Sequence, residues 1–327
     1  MNAAGQTVIA LLSRTLGMDY LVQALHAAFA QAGQSVELRM MDEGKGVEAL
    51  GDGREVDIAL CWEPAHGLWH RMPHLRLVQS LAAGVDHILE DTSFPAHLPL
   101  ARIRDQHMAS AMAAYVTWAV TSEHRNIDGY LQEQAQRRWG VPVVMPATEY
   151  TVGIAGMGTL GAYCAKVLTA IGYDVRGWSR NPSKEPIAGC THYAGEAGRA
   201  PFLSGLNALV CLLPLTEQTR GFMNRDCFAQ MALGAHIVNV GRGAHLVDAD
   251  LLAALDSGQL GRATLDAFVT EPLPPENPLW SHPRVRITPH IATRTAAPVI
   301  AHQTAQHWLQ ITAGARPAHA VDVSQGY

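Results

Sequence analysis

Short apolar runs alternate with stretches of helical periodicity along most of the chain. TVIALLS (7–13) is followed by Leu21, Leu25, Ala28 and Phe29, which recur at helical spacing in a segment ending at Gly33. SVELRM (35–40), VDIALCW (56–62) and LRLVQSL (75–81) are further strand candidates. Such alternation predicts a parallel sheet covered by helices. From about Met108 to His124 the chain lacks Gly and Pro and is rich in Ala, which predicts a long helix; a second helical stretch, 126–138, precedes the turn-prone GVPVVMPATEY. At Thr151 a new series opens: TVGIAG, a helix to Gly172, DVRGWS, ALVCLLP (208–214), AHIVNVG (235–241), ATLDAF (263–268) and VRITPH (285–290). Six strand candidates with helices between most of them predict a doubly wound dinucleotide fold. The helical segment 295–313 is expected to return to the first domain.

Composition agrees with two domains, since 327 residues exceed what one core normally organises. With 48% apolar and 16% charged residues the chain reads as well-buried and globular. A formal charge of −5 and no basic stripe argue against a polyanion-binding surface. No stretch approaches the roughly 18–20 apolar residues that cross a bilayer. The run Val8–Leu12 has no basic segment before it and reads as a strand rather than a signal peptide. Cys61, Cys164, Cys190, Cys211 and Cys227 are odd in number and form no CxxC pair, so free thiols and a cytoplasmic location are expected.

Gly156-Met157-Gly158-Thr159-Leu160-Gly161 satisfies GxGxxG, directly after one apolar strand and opening a helix. The first Gly permits a tight turn, the second lets backbone approach a pyrophosphate, and the third allows close helix–sheet packing. The related adenosylmethionine-binding fold uses a similar turn and is the alternative. An acidic residue is usual about 20 residues on, where it accepts from the ribose hydroxyls. Here Ser179 and Arg180 stand there, with Lys184 close behind. A hydroxyl beside a guanidinium favours a 2′-phosphate instead, so NADP(H) is preferred and NAD(H) remains possible. The competing reading is a solvated loop charge.

Arg242, Glu271 and His290 fall at or just beyond strand carboxyl ends, the rim where open parallel sheets bind ligands. Singly each has an ordinary structural explanation. Together an arginine, a carboxylate and an imidazole form the set needed to reduce a 2-keto acid.

These motifs make the chain resemble the D-isomer-specific 2-hydroxyacid dehydrogenases over essentially its whole length. The family's motifs stand here as Leu81-Ala82-Ala83-Gly84-Val85-Asp86, Leu213-Pro214-Leu215-Thr216, Asn239-Val240-Gly241-Arg242-Gly243, Asp266 to Glu271-Pro272, and Thr288-Pro289-His290. Trp178-Ser179-Arg180 and the ending from Val321-Asp322 to Gly326-Tyr327 resemble its glyoxylate/hydroxypyruvate reductase A group. The resemblance implies NADPH-dependent reduction of small 2-keto acids, with Arg242 on the substrate carboxylate. His290 would be the proton donor, and Glu271 would hold its ring and favour the charged form. Backbone amides near Ala83-Gly84 would grip the carboxylate, Asp266 would orient the nicotinamide carboxamide, and Leu213-Pro214 with Val240-Gly241 would line the ribose.

The implied fold is two doubly wound parallel-sheet domains with a cleft between them. One is a flavodoxin-like substrate domain (1–106 plus 294–327), the other a Rossmann NAD(P)-binding domain (107–293) whose segment 108–148 is a helical dimerisation arm. A homodimer, with no nucleic-acid or membrane partner, is expected.

The chain departs from the family pattern at Ala113-Ala114-Tyr115-Val116, where a glutamate often precedes Tyr-Val. It departs again in the loop 40–46, which lacks a tryptophan, and at Arg294. The alternatives are an NADH-dependent enzyme for a bulkier keto acid and a dinucleotide-sensing corepressor-like protein. His66, His70 and His74 are spaced by four, but Pro73 interrupts any helix there and no metal site is expected. Tyr163 and Lys166 have the wrong spacing for a short-chain dehydrogenase pair. A long regulated phosphoglycerate dehydrogenase needs a further domain.

Overall fold

A computed structural model describes residues 5–42, 45–141, 143–182 and 185–323. Lys184, part of the 40–46 loop and the final Gly326-Tyr327 lie outside the described residues. The chain divides into two compact units, Met1–Asp105 with Arg294–Tyr327, and Gln106–Thr293. Gln106, expected to end the first domain, opens a helix and belongs to the second unit.

In the first unit the elements run β1 (Thr7–Ser13), α1 (Val22–Gln31), β2 (Val36–Met41), β3 (Ile58–Trp62), β4 (Leu77–Ser80), α2 (Asp86–Leu89) and β5 (Leu100–Ala101). Among the described residues the strands form one parallel sheet of order β2-β1-β3-β4-β5, the flavodoxin-like order. All seven residues of β1 are buried, which is why it reads as an unbroken apolar run. The helix Ala297–Thr312 belongs to this unit. Its Trp308, 2% exposed, donates from Nε1 to Thr7 Oγ1 at 3.1 Å, and His307 Nδ1 lies 2.7 Å from Gln79 Oε1. Burying a side chain of that size stabilises by about 2–3 kcal/mol.

The second unit contains α3 (Gln106–His124), α4 (Ile127–Ala135), β6 (Thr151–Ala155), α5 (Thr159–Ile171), β7 (Asp174–Ser179), β8 (Cys190–Ala194), α6 (Arg199–Leu203), β9 (Ala208–Cys211), α7 (Arg225–Gln230), β10 (Ala235–Asn239), α8 (Asp248–Ser257), β11 (Leu260–Leu265) and β12 (Val285–Ile287). The described strands form one parallel sheet, order β12-β11-β10-β9-β6-β7-β8. Counted within the unit this is the Rossmann order with an added strand. Helices cover both faces. Val152, Ile154, Val210 and Val238 pack under α3 and α5 through Val116, Val120, Cys164 and Leu168. Leu209, Ile237 and Leu265 face Phe202, Phe228, Leu251 and Leu255 on the other side.

Two strands escape the apolar pattern, the two-residue β5 and the edge strand β8, whose residues are all at least partly exposed. The helix expected over 126–138 stops at Ala135. At the root of α3 and α4, Glu123 and Asp128 meet two guanidinium groups from the sheet. Arg262 lies 2.5 Å from Glu123 and 3.0 Å from Asp128, and Arg286 lies 2.8 Å from Asp128.

Candidate active site

Within the second unit, the strand order reverses between β6 and β9, so the loops after these strands diverge and leave a crevice at their carboxyl ends. The glycine turn occupies that point. Gly156 has φ +104°, a left-handed conformation, and a Cβ there would stand 2.5 Å from Leu212 O. A Cβ on Gly161 would stand 1.9 Å from Gly156 O, so the third glycine lets α5 seat directly on the turn. At Gly158, by contrast, a Cβ meets nothing within 4 Å. This glycine is not demanded by internal packing. The open space over it, at an α5 N-terminus with no side-chain cap, fits an approaching pyrophosphate. Thr159 and Leu160 begin the helix, and the Met157 side chain lies over Gly177.

Ser179 ends β7 and is partly exposed; Arg180 is exposed beside it. Ser179 Oγ donates to Asn181 O at 2.7 Å and lies 2.9 Å from His192 Nε2 on β8. Leu213 and Pro214 follow β9, in a loop closed by Thr219 Oγ1, which donates to Pro214 O at 2.7 Å and accepts from Thr216 N at 2.8 Å.

Val240, Gly241 and Arg242 follow β10. Asn239 braces this turn from both sides, accepting from Gly241 N and donating to Arg242 O at 2.9 Å. The fully buried His245 accepts from Arg242 N at 3.0 Å. A Cβ on Gly243 would overlap the backbone of Phe268, so the arginine turn and the segment leading to Glu271 are pressed together.

Glu271 has one oxygen accepting from Phe268 N and the other 2.8 Å from His290 Nδ1. A carboxylate only accepts, so Nδ1 carries the proton in this pair and Nε2 is the ring nitrogen turned away from Glu271. His290 itself has φ +53°, a strained backbone for a non-glycine residue. Asp266 holds the segment in that shape. It is 2% exposed and accepts from Thr288 Oγ1 (2.6 Å), Ile291 N (2.8 Å) and Ala292 N (2.8 Å). The Tyr115 hydroxyl lies 2.6 Å from Thr288 Oγ1, and burial pushes that phenol up to about 12. The family resemblance implies a role for Asp266 in orienting the nicotinamide carboxamide. Its three bonds here all tie down the histidine segment, and Oδ2 keeps a lone pair for a further donor.

The sequence-predicted residues of the second unit thus gather at the carboxyl ends of β6, β7, β9, β10 and β11 and in the loop after β12. Ala83 and Gly84 belong to the first unit, in the loop after β4, where Ser80 Oγ accepts from Ala82 N and donates to Gly84 O. Arg294 also belongs to the first unit, and its charge opposes the rise that burial imposes on the Tyr20 phenol. Sequence reasoning does not single out Asn239, His245, Thr288, Tyr115 or His192 as site residues. Asn239, Thr288 and Tyr115 lie inside family motifs of the chain, which is the available signal. Burial raises the thiols of Cys190, to about 11, and of Cys211 and Cys227, to about 12, which keeps them protonated.

A doubly wound nucleotide-binding sheet with a carboxylate-held imidazole on its rim defines a dehydrogenase class, and the relatives agree. Residues 117–292 match the NAD-binding domain of the D-isomer specific 2-hydroxyacid dehydrogenases. The chain is 45% identical over 282 residues, 85% of its length and 90% of the relative's, to glyoxylate/hydroxypyruvate reductase A of Serratia proteamaculans. It superimposes with a TM-score of 0.87 at 37% identity on a D-isomer specific 2-hydroxyacid dehydrogenase from Xanthobacter autotrophicus in complex with NADPH and MES, covering 98% of this chain and all of that one. An NADPH-dependent glyoxylate/hydroxypyruvate reductase from Sinorhizobium meliloti with bound NADP and sulfate gives 0.87 at 34% identity, with the same coverage. The chain belongs to the D-isomer-specific 2-hydroxyacid dehydrogenases, a family of oxidoreductases.

Proposed function

We propose that this protein reduces small 2-keto acids, glyoxylate and hydroxypyruvate, to 2-hydroxy acids with NADPH. The observation that carries the reading is the pair of His290 and Glu271, with Nδ1 2.8 Å from the carboxylate, which orients the ring on the rim of the sheet and leaves the proton transfer to Nε2. The nicotinamide, when bound, supplies the hydride. The chain's own residues do the rest. Arg242 pairs with the substrate carboxylate through its planar fork of donors. His290, as imidazolium, protonates the carbonyl oxygen, and Glu271 holds the ring for that transfer. The loop of Ala83 and Gly84 is assigned a grip on the carboxylate by resemblance, and the first unit is correspondingly the substrate domain.

Preference for NADPH rests on Ser179 and Arg180 at the end of β7, in line with the NADP-bound relatives. The protein is further proposed to act as a cytoplasmic homodimer. No described helix is long and apolar enough to cross a membrane. Along the arm, Leu131, Trp139, Val141 and Val143 are 57–101% exposed, an apolar surface of the kind that a second copy of this chain would cover.

Steady-state oxidation of NADPH and NADH with glyoxylate, hydroxypyruvate and a bulkier 2-keto acid tests the reading. Strong NADPH preference with the small acids is expected, and His290→Ala should abolish turnover while NADPH still binds. Preference for NADH with the bulky acid would replace this reading by its main alternative. Absence of turnover with every pair would point to a binding protein.

A further inference from the structure

The edge strand β8 carries a histidine that the proposed reaction does not use. Gly177 pairs with His192 and Ser179 with Ala194, so Ser179 and His192 project from one face of the sheet as diagonal neighbours. Gly177 between them has no side chain, and the ring reaches Ser179, with Nε2 2.9 Å from Oγ. Ser179 Oγ donates to Asn181 O, so the bond between the two side chains runs from Nε2–H to the hydroxyl oxygen. We propose that His192 is a third contributor, with Ser179 and Arg180, to recognition of the adenosine 2′-phosphate, and that it couples binding of NADP(H) to uptake of a proton.

The inference rests on the NADPH reading above and specifies how it is achieved. A phosphate oxygen taking the Ser179 hydroxyl proton at ordinary hydrogen-bond length would lie no more than about 6 Å from Nε2, within the range where an opposite charge favours the protonated ring. Without cofactor, burial alone lowers the His192 pKa, and no charged neighbour contributes. The ionisable groups on the elements around it are Cys190 on its own face, Tyr163 and Lys166 of α5, Asp174 and Arg176 of β7, Tyr193 of β8, Arg199 of α6, and Arg180, Glu185 and Glu196 in the flanking loops. The ring is therefore neutral at pH 7 in the free protein and gains its proton when a phosphate dianion arrives. Affinity for the 2′-phosphorylated ligand should rise as pH falls through the raised pKa of the complex. Affinity for a ligand without that phosphate should not change. Protonation of the phosphate itself, near pH 6, acts in the opposite direction, which sets the useful window above it.

The test is calorimetric titration of 2′,5′-ADP, with 5′-AMP as control, into wild type and His192→Gln at pH 6.5 and 8.5. Two buffers of different ionisation enthalpy count the protons taken up. Wild type should bind 2′,5′-ADP about threefold tighter at pH 6.5 than at 8.5, the effect of a pKa raised by about one unit from below its ordinary value, with net proton uptake. The variant should lose both effects and bind 5′-AMP as wild type does, which also shows that it is folded. Equal pH dependence and proton uptake in the two proteins would overturn the role of His192 and leave the NADPH reading standing. Failure of wild type to distinguish 2′,5′-ADP from 5′-AMP at either pH would overturn the 2′-phosphate reading of Ser179 and Arg180, and this inference with it.

Discussion

Asp266→Asn separates two roles for one carboxylate: orienting the nicotinamide, as family resemblance implies, or holding the segment that carries His290. Asparagine keeps the size of the side chain and one acceptor but turns the other acceptor into a donor. With its carbonyl at the Oδ1 position, the bonds from Thr288 and Ile291 persist in neutral form, while the amide meets the Ala292 N–H donor to donor. Ala292 is 4% exposed, so water offers little substitute. Losing a bond to a charged acceptor and orphaning a buried donor together loosen the segment by about 3 kcal/mol. The left-handed backbone at His290, φ +53°, costs about 1–3 kcal/mol to maintain. The anchoring lost is as large as the strain it opposes, so His290 should leave its position for much of the time.

At about 1.4 kcal/mol per decade, kcat should fall roughly 10- to 100-fold. NADPH affinity, read by fluorescence titration, should change by less than about threefold, because the glycine turn and β7 are untouched. The opposite pattern would refute the reasoning: a Kd for NADPH loosened tenfold or more, with kcat at saturation near wild type. The carboxylate would then work on the cofactor, and its bonds to the 288–292 segment would be incidental.

Gly158→Ala should melt with wild type in calorimetry yet lose NADPH affinity, since a methyl there meets no protein atom within 4 Å. Gly161→Ala must displace the Gly156 carbonyl, 1.9 Å away, and should lose about 1–3 kcal/mol of stability; equal melting temperatures would refute this division of labour. Tyr115→Phe should cost about 1 kcal/mol through its bond to Thr288, by the same amount at pH 6 and pH 9, because a phenol raised to about 12 stays a donor at both; a loss confined to one pH would contradict it. Burial, then the charges of Arg286 and Arg262, hold His236 down to about 3, while the unfolded ring titrates near 6.5. As pH falls below 6.5 the unfolded state takes the proton first, so stability should drop by at most about 1.4 kcal/mol per pH unit on this ring's account. Urea midpoints at pH 7, 6 and 5 should fall less steeply in His236→Gln, and parallel slopes would exclude His236 as the source.

What the sequence made legible follows from burial. Strands β1, β6, β9 and β10 lie inside their sheets with every residue buried, so each announces itself as an apolar run whichever face a side chain takes. The reactive set was legible for a different reason, that Arg242, Glu271 and His290 each stand just past a strand or its following loop, in motifs of fixed order. Edge position defeats the same reading. CTHYA in β8 has partly exposed faces and no apolar run, so the strand went unseen, and with it the placement of His192 beside Ser179. Asp266 marks a second limit. Its motif was visible, but the donors to its carboxylate are fixed by the path of residues 288–292 and by the left-handed turn at His290, which no residue pattern specifies. A motif names the chemical group, whereas its work depends on which neighbours the backbone delivers to it. For that reason Asp266 and His192, one seen and one unseen, need the structure before a role can be argued for either.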